Sequence, residues 1–581
     1  MRDRREYMRE YKRRYRAAKN ATKHDGDAFI ALSCLSVEEA DKLGRGAVNG
    51  WALVFEDGDE LSGADATSLL DAFKAVKTKN TVYVCNLKVW GRFLVVEADR
   101  RGLKVSADTK DRNSYRTVVN NTGDWIGFEI NLDGNRTYIK NFSEIIRTPL
   151  DRAYTDFCGA IIPPDATLNQ IAGAMAKLMT EFKKSLKTLS GGVFLSANTL
   201  SGYAQKLAYC IAGRGCIEYG RDVWRATFPP ISKDAGDEMR AAKVYRGGWN
   251  YMDPTAREYR GAGYVLDVRS FYPSFYANAV PCGAVKWTIF NDKEQDKIDN
   301  DISHYGVYNV LELSAHLKNG AFPTIQIINE SGTEYLTEIN YTGGAAFMLD
   351  TNDIKALYDN YNVDFLTLDY GYTATIKHVD FLDEYATRLY HKKSRPHADA
   401  VSTSAKHLIN SLSGRFGINA YRNEIDVVKN KNYKAVQSKY VGELGYLPAA
   451  IYINSRGRLL ITELAKKAKD VFLYSDTDSI IIKGDEIPAE LRYFIGDKMG
   501  QLSVKRFTES RFFGLKCYGL KFVLDGWKWT VAGASPDMLK EIKADASAGQ
   551  VLTGGAVPQV YPDGTIAFKK REFTLARNTI F

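Results

Sequence analysis

Residues 471–482, VFLYSDTDSIII, place two β-prone apolar runs around an acid-bearing turn, a pattern that predicts a hairpin with Asp476 and Asp478 at its tip. Two carboxylates this close repel each other, and a divalent cation beside them is what lets both ionise. An isolated Asp-x-Asp turn is also an ordinary polar loop, so its neighbours must decide. A second segment, YVLDVRSFYPS at 264–274, reads as an apolar strand that ends at Asp267 and turns toward Pro273. If Asp267 and Asp478 converge, they can hold two Mg²⁺ ions that activate an attacking hydroxyl and stabilise a leaving phosphate. Tyr272 would then wall that site against a ribose 2′-hydroxyl; its plainer reading is a core tyrosine.

Two cationic segments have matching chemistry. Residues 405–416, AKHLINSLSGRF, predict a helix ending near Gly414, with Lys406, Asn410 and Ser413 on one face. A lysine offered as a point charge suits a triphosphate, and the upstream His391, Lys392, Lys393 and Arg395 could hold its far end. The same residues also suit an ordinary surface helix. Residues 515–519, LKCYG, read as β-like, which puts Lys516 and Tyr518 on one face as a cation and phenol able to grip a primer-end phosphate.

The chain that must position these groups has 581 residues, enough for at least two compact units. Its 45% hydrophobic and 26% charged content excludes a disordered or collagen-like chain. The net charge of +9 is poor evidence for a polyanionic partner, because residues 1–20 alone supply +6. There Tyr7, Tyr11 and Tyr15 recur every fourth residue beside a basic face, as in a solvated helix or a phosphate-contacting arm. Seven cysteines without a C-x-x-C pair indicate neither a zinc site nor a disulfide framework and fit a reducing cytoplasm. No apolar run predicts a membrane span or a secretory signal. Short apolar runs (Phe29 to Leu32, Thr81 to Val84) alternating with helical stretches (Ile171 to Leu186) predict an α/β unit, and the Gly and Ser-rich residues 190–202 could end it.

Taken in order, DVRSFYPS, KHLINSLSG, YSDTDS and K-C-Y resemble motifs A, B and C and the K-x-Y motif of the family B DNA polymerases. Upstream, Tyr245-Arg-Gly247-Gly248 resembles that family's Y-x-G-G motif, which links exonuclease and polymerase modules and binds single-stranded template. The overall length, with PTIQI at 323–327 and EYL at 334–336, resembles the protein-primed branch found in bacteriophages and linear plasmids. The resemblance covers most of residues 80–581. It implies an α/β plus α+β multidomain chain: an RNase H-like exonuclease-type domain at 25–205, after a basic segment at 1–24, and a right-hand polymerase domain at 206–581. Within the latter it implies a palm (206–280 and 448–534), a terminal-protein-contacting insertion (about 281–375), fingers (376–416), a strand-displacement insertion (417–447) and a thumb (535–581). The 138 residues between Asp267 and Lys406 leave room for the first insertion.

By the same resemblance, Asp267 and Asp478 are ligands of two Mg²⁺ ions, for which Mn²⁺ can substitute, and Asp476 supports them as a catalytic acid. Tyr272 is the sugar gate, with Lys406, Asn410 and Lys392 or Lys393 binding the nucleotide. Lys516, Tyr518, Tyr245, Gly247, Gly248 and Arg458 contact primer or template, and Asn86 and Ser143 match positions that contact single strands or terminal protein. The implied partners are DNA template and primer, dNTPs and a terminal protein; the chain is expected to be a monomer in the host cytoplasm, apart from membranes. The basic run Phe568-Lys-Lys-Arg571 would track duplex phosphates from the thumb.

Two departures stand out. The exonuclease of this family needs four acids holding two metals, yet Leu35 and Val37 fall where the first motif has carboxylates, and Trp90 stands where the second has an Asp. The third motif falls near Asn169-Gln170, without its tyrosine or its acid. Leucine and tryptophan cannot ligate Mg²⁺, so an exonuclease fold without the activity is expected; Asp25 and Asp27 could rescue one motif at most. In motif B, Ser413 replaces a tyrosine that packs on the nascent base pair, which implies a low-fidelity or damage-tolerant polymerase unless an aromatic such as Phe416 takes its place. The rival readings are a family B polymerase independent of terminal protein and a non-catalytic nucleic-acid-binding scaffold.

Overall fold

Along the strand Ala28–Cys34, Phe29 and Ala31 alternate with Ala28 and Ile30, so both faces are apolar and both must be covered. The computed structural model describes residues 26–575 apart from 78–79, 107–108, 120–124, 330–331, 345, 396–398, 426–434, 444 and 562–564. The basic run at 1–24 and Asp25 lie outside the described residues. One face of the strand receives the helix Leu168–Leu189, whose buried Met175, Leu178, Phe182, Leu186 and Leu189 recur at helical spacing. Thr167 and Gln170 close the start of this helix with a reciprocal capping box. The opposite face receives the helices Ala66–Ala72 and Leu87–Arg100. The strand lies inside an eight-stranded mixed sheet, parallel to Thr81–Val84, which is in turn parallel to Asn135–Asn141. This is the α/β unit that the alternating pattern predicts.

The Gly and Ser-rich residues 190–202 do not divide two cores. Leu195 and Leu200 belong to one buried cluster that runs from Phe29 to Ile453 and includes the helices Leu200–Ala212 and Ala400–Ser411. Beyond it stands a seven-stranded antiparallel sheet, in the order Gly526–Val531, Cys517–Phe522, Leu502–Gly514, Gly263–Val268, Ser479–Lys483, Phe472–Asp476, Asn250–Met252. The helix Leu447–Lys467 packs Ile461, Leu464 and Ala465 against Leu266, Ile480 and Ile482 of this sheet. Between the sheet's first strand and that helix the chain makes a separate five-stranded sheet, from Val280–Ile289 to Tyr361–Lys377, and the helix pair Asp380–Lys393 and Ala400–Ser411. Two further hairpins pair Tyr421–Ile425 with Ala435–Tyr440 and Val551–Val560 with Ile566–Thr574. Among the described residues no helix is long and apolar enough to cross a membrane.

A buried ionic junction joins these parts. Asp353 accepts from Arg246 Nη1 at 2.8 Å and from Arg458 Nη2 at 2.7 Å, and none of the three side chains is more than 5% exposed. Arg246 Nη2 also donates to the Met348 carbonyl at 2.9 Å, and the neighbouring Asp350 accepts from the Tyr305 hydroxyl at 2.8 Å and from Ser455 Oγ. Burial and the repulsion of Asp353 push the Asp350 carboxyl up to about 7. Asp353→Ala leaves two guanidinium groups buried without their carboxylate and is expected to cost about 3–5 kcal/mol in urea unfolding. An unchanged unfolding midpoint would remove the junction from the stabilising contacts.

Candidate active site

The strand Gly263–Val268 runs between Ser479–Lys483 and Leu502–Gly514, which sets Asp267 opposite Ser479 on one side and Ser503 on the other. The Val268 N–H donates to the Asp478 carbonyl at 2.9 Å, so one backbone bond ties the strand's end to the hairpin turn. Asp476 closes the strand Phe472–Asp476, Ser479 opens the next, and Thr477 turns between them at φ 62°. That left-handed turn is held by Thr477 N–H to the Trp249 carbonyl at 3.2 Å and Thr477 Oγ1 to Asn250 Oδ1 at 3.1 Å. Gly248 lies under it: a Cβ there would stand 2.6 Å from Thr477 Cγ2, so only glycine fits.

Asp267 and Asp476 both lie near enough to Asp478 to perturb it, as the sequence pattern requires. Burial, then Asp267 and Asp476, push the Asp478 carboxyl up to about 7. Burial also raises Asp267, with Lys505, Lys393 and Arg269 opposing it. Asp476 is paired differently, accepting from the Tyr518 hydroxyl at 2.9 Å and from Lys516 Nζ, which also donates to Thr477 Oγ1 at 3.0 Å. Lys516 and Tyr518 therefore converge on one carboxylate. They do not do so by sharing a strand face: Lys516 sits in the turn between Leu502–Gly514 and Cys517–Phe522 at φ 54°, a correction to the β-like reading.

Tyr272 sits in the first turn of the helix Phe271–Tyr276, half-buried near Asp478 and Tyr245, and burial pushes its phenol up to about 12. Lys393 Nζ donates to Ser270 Oγ and lies within electrostatic reach of Lys406, Asp267 and Arg269. The structure thus brings Lys393 beside Asp267 and Lys406, and gives Lys392 no such neighbours among the contacts described. Lys406 and Asn410 are exposed on the helix Ala400–Ser411. Arg269 and Lys505 were not singled out from the sequence, although Arg269 lies inside the DVRSFYPS segment; Lys505 becomes visible only through the pairing of Val265 with Lys505 across the sheet.

Three expectations change. Arg458 does not face the site: it is 4% exposed, bonded to Asp353 and to the Gly247 carbonyl at 3.2 Å, so the helix buries its charge in the ionic junction. Phe416 does not replace the missing motif B ring, because it is 1% exposed and stacks on Trp224 at 5.3 Å and against Phe228 at 5.1 Å. Asp27, a candidate to rescue one exonuclease motif, is instead paired with Lys183 Nζ at 2.7 Å while its other oxygen accepts from the Thr81 N–H at 2.8 Å. Leu35 and Val37 are half-buried against Ala567 and Tyr561, Trp90 lies against Phe568, and Gln170 is occupied in the Thr167 cap. Asn86 and Ser143 come together on the surface, the Asn86 N–H donating to Ser143 Oγ at 3.1 Å. Tyr245 packs its ring against Gly417, where a Cβ would stand 2.5 Å from Cε1.

The family model for DNA polymerase type B, organellar and viral, matches residues 173–488. The chain belongs to this family. It is 26% identical over 531 residues to the DNA polymerase of Bacillus phage phi29, covering 85% of this chain and 87% of that one. It is 28% identical over 283 residues to the DNA polymerase of Streptococcus phage Cp-1, 44% of this chain. Phi29 DNA polymerase complexed with primer-template DNA superposes with a TM-score of 0.78 at 20% identity, over 94% of this chain and all of that one. Its complex with single-stranded DNA gives 0.77 over the same share. The fold is accordingly an exonuclease-type domain followed by palm, fingers and thumb, and the chain is a DNA polymerase of the phi29 type.

The crowded acids predict opposite effects for two neighbours in metal-free protein. A carboxyl raised to about 7 in the fold resists ionisation, so its burden is absent below pH 4, accumulates as pH rises from about 4 to 7, and is fully present above 7. Asp478→Asn should raise the thermal midpoint by about 2 °C at pH 8 in EDTA and change it little at pH 4. Asp476→Asn, which breaks the Lys516 pair, should lower it. Equal signs for the two would contradict this charge arrangement.

Proposed function

We propose that this polymerase adds deoxynucleotides to a primer 3′ end by two-metal phosphoryl transfer, starts synthesis on a protein hydroxyl, and has no 3′–5′ proofreading activity. The observation that carries the catalytic part is the closure of Asp267 and Asp478 around one backbone bond, with Lys393 and Lys406 on the adjoining side. The raised pKa of Asp478 marks a deficit of positive charge that a divalent ion would fill. Among the described residues no three acidic, His or Cys side chains gather closely enough to hold a metal alone. Asp267 and Asp478 would therefore share the ions with nucleotide phosphates and water, the usual habit of Mg²⁺ in phosphoryl transfer. Bound there, Mg²⁺ supplies activation of the attacking hydroxyl and neutralisation of the leaving diphosphate.

The chain's own groups do the positioning. Lys393 and Lys406 hold the triphosphate, Tyr272 blocks a ribose 2′-hydroxyl, and Lys516 and Tyr518 hold Asp476 beside the primer terminus while Tyr245, Gly247 and Gly248 border the template. The domain limits follow the resemblance: exonuclease-like 25–205, palm 206–280 and 448–534, first insertion 281–375, fingers 376–416, second insertion 417–447, thumb 535–581. Similarity to phage polymerases over most of the chain, with the five-stranded insertion and the exposed Asn86 and Ser143 pair, supports a terminal protein as primer. Apolar Leu35, Val37 and Trp90 support the loss of proofreading, and Ser413 without a substitute ring supports low fidelity.

Primer extension with Mg²⁺ and dNTPs tests this reading. Asp478→Asn should reduce extension by about 10³-fold or more. Tyr272→Val should raise ribonucleotide incorporation about tenfold or more relative to deoxynucleotide. Adding the candidate terminal protein without a DNA primer should yield a protein–nucleotide adduct. Extension retained by Asp478→Asn would overturn the catalytic assignment; absence of the adduct with normal primer extension would remove protein priming alone.

A further inference from the structure

The C-terminal hairpin covers all three apolar residues that stand where exonuclease carboxylates are expected. Leu35 and Val37 pack on Ala567 and Tyr561, while the rings of Trp90 and Phe93 lie 5.6 and 6.2 Å from that of Phe568. Ile566 is fully buried in the core of the N-terminal sheet itself. Ser36 and Phe568 form a parallel β-bridge, and the Phe568 N–H points at the Cys34 thiol. The Tyr561 hydroxyl donates to Asp41 Oδ1 at 2.7 Å. The backbone comes so close that a Cβ on Gly46 would stand 2.2 Å from the Ile566 carbonyl group. At its other end the hairpin is fixed to the edge of the seven-stranded sheet: Leu552 and Leu575 share a cluster with Phe513, Cys517, Val531 and Met538, and Arg571 donates to the Gly533 carbonyl.

We infer that the vacated exonuclease groove is a socket for the chain's own C-terminal hairpin, and that this clasp holds the enzyme closed over its nucleic acid during consecutive additions. A carboxylate pair in the groove would be expelled from contact with Phe568, Ala567 and Ile566 unless it were neutralised, so an acid-bearing groove could not form this contact. The hairpin spans from the polymerase sheet to the N-terminal unit with Lys569 and Lys570 exposed, a strap with cations for a phosphate backbone. Phe568 and Trp90 are positioning residues here and touch neither substrate nor reacting atoms. The inference rests on the polymerase reading above.

The test separates run length from chemistry. On a primed single-stranded circle with a heparin trap, Phe568→Ala and Trp90→Asp should give products about tenfold shorter per binding event, with single-nucleotide addition at the wild-type rate. Phe568→Trp should restore length. Partners in a β-bridge lie within the Cα separation a disulfide spans, so Ser36→Cys with Phe568→Cys can lock the clasp with diamide and release it with dithiothreitol. Long products when oxidised and short ones when reduced, with wild type indifferent to both treatments, support the clasp. Wild-type length in Phe568→Ala and Trp90→Asp, or equal length in both redox states, overturns it. Should Phe568→Ala lose nucleotide addition as well, the redox comparison within one protein decides. Failure of wild type to add any nucleotide would instead sink the polymerase reading.

Discussion

Three carboxylates must be held together against their own repulsion, and the rest of the polymerase sheet is arranged to do that. The Val268 to Asp478 backbone bond fixes the approach of two strands, and Gly248 beneath Thr477 allows the turn its left-handed conformation. The charges are then treated unequally. Asp476 is covered by Lys516 and Tyr518, whereas Asp478 remains buried with two acidic neighbours and a pKa near 7. That inequality separates a carboxylate paired with Lys516 from two that no ion pair covers among the described residues.

A buried ionic junction stands next to this sheet. Asp353 joins Arg246, one residue before the Gly247-Gly248 pair, to Arg458 of the long helix. Gly248 supports the acid-bearing turn, so the junction is connected to the site through one short segment.

Much of this was legible in the sequence where short motifs carried their own local structure. The YSDTDS hairpin and the strand ending at Asp267 form because β-branched and aromatic runs flank compact turns, and the apolar spacing of the helix Leu168–Leu189 specifies its buried face. Contacts between distant segments were not legible. Arg458 carries the same formal charge in solvent or in a core, and only the arrival of Asp353 from 105 residues away makes it structural. Likewise Lys516 and Tyr518 suggested strand alternation, but a hairpin turn brings both to Asp476. The apolar character of Leu35, Val37 and Trp90 is legible in the sequence; that Ala567, Tyr561 and Phe568 from the far end of the chain pack on them requires the fold.

The central claim is that one catalytic set of acids has been kept while another has become packing. The most direct measurement follows a labelled primer with a mismatched 3′ end, annealed to template with Mg²⁺, first without dNTPs and then with them. The account predicts no shortening in the first stage and extension from the mismatch in the second. Release of the terminal nucleotide before extension, in protein free of contaminating nuclease, would contradict it.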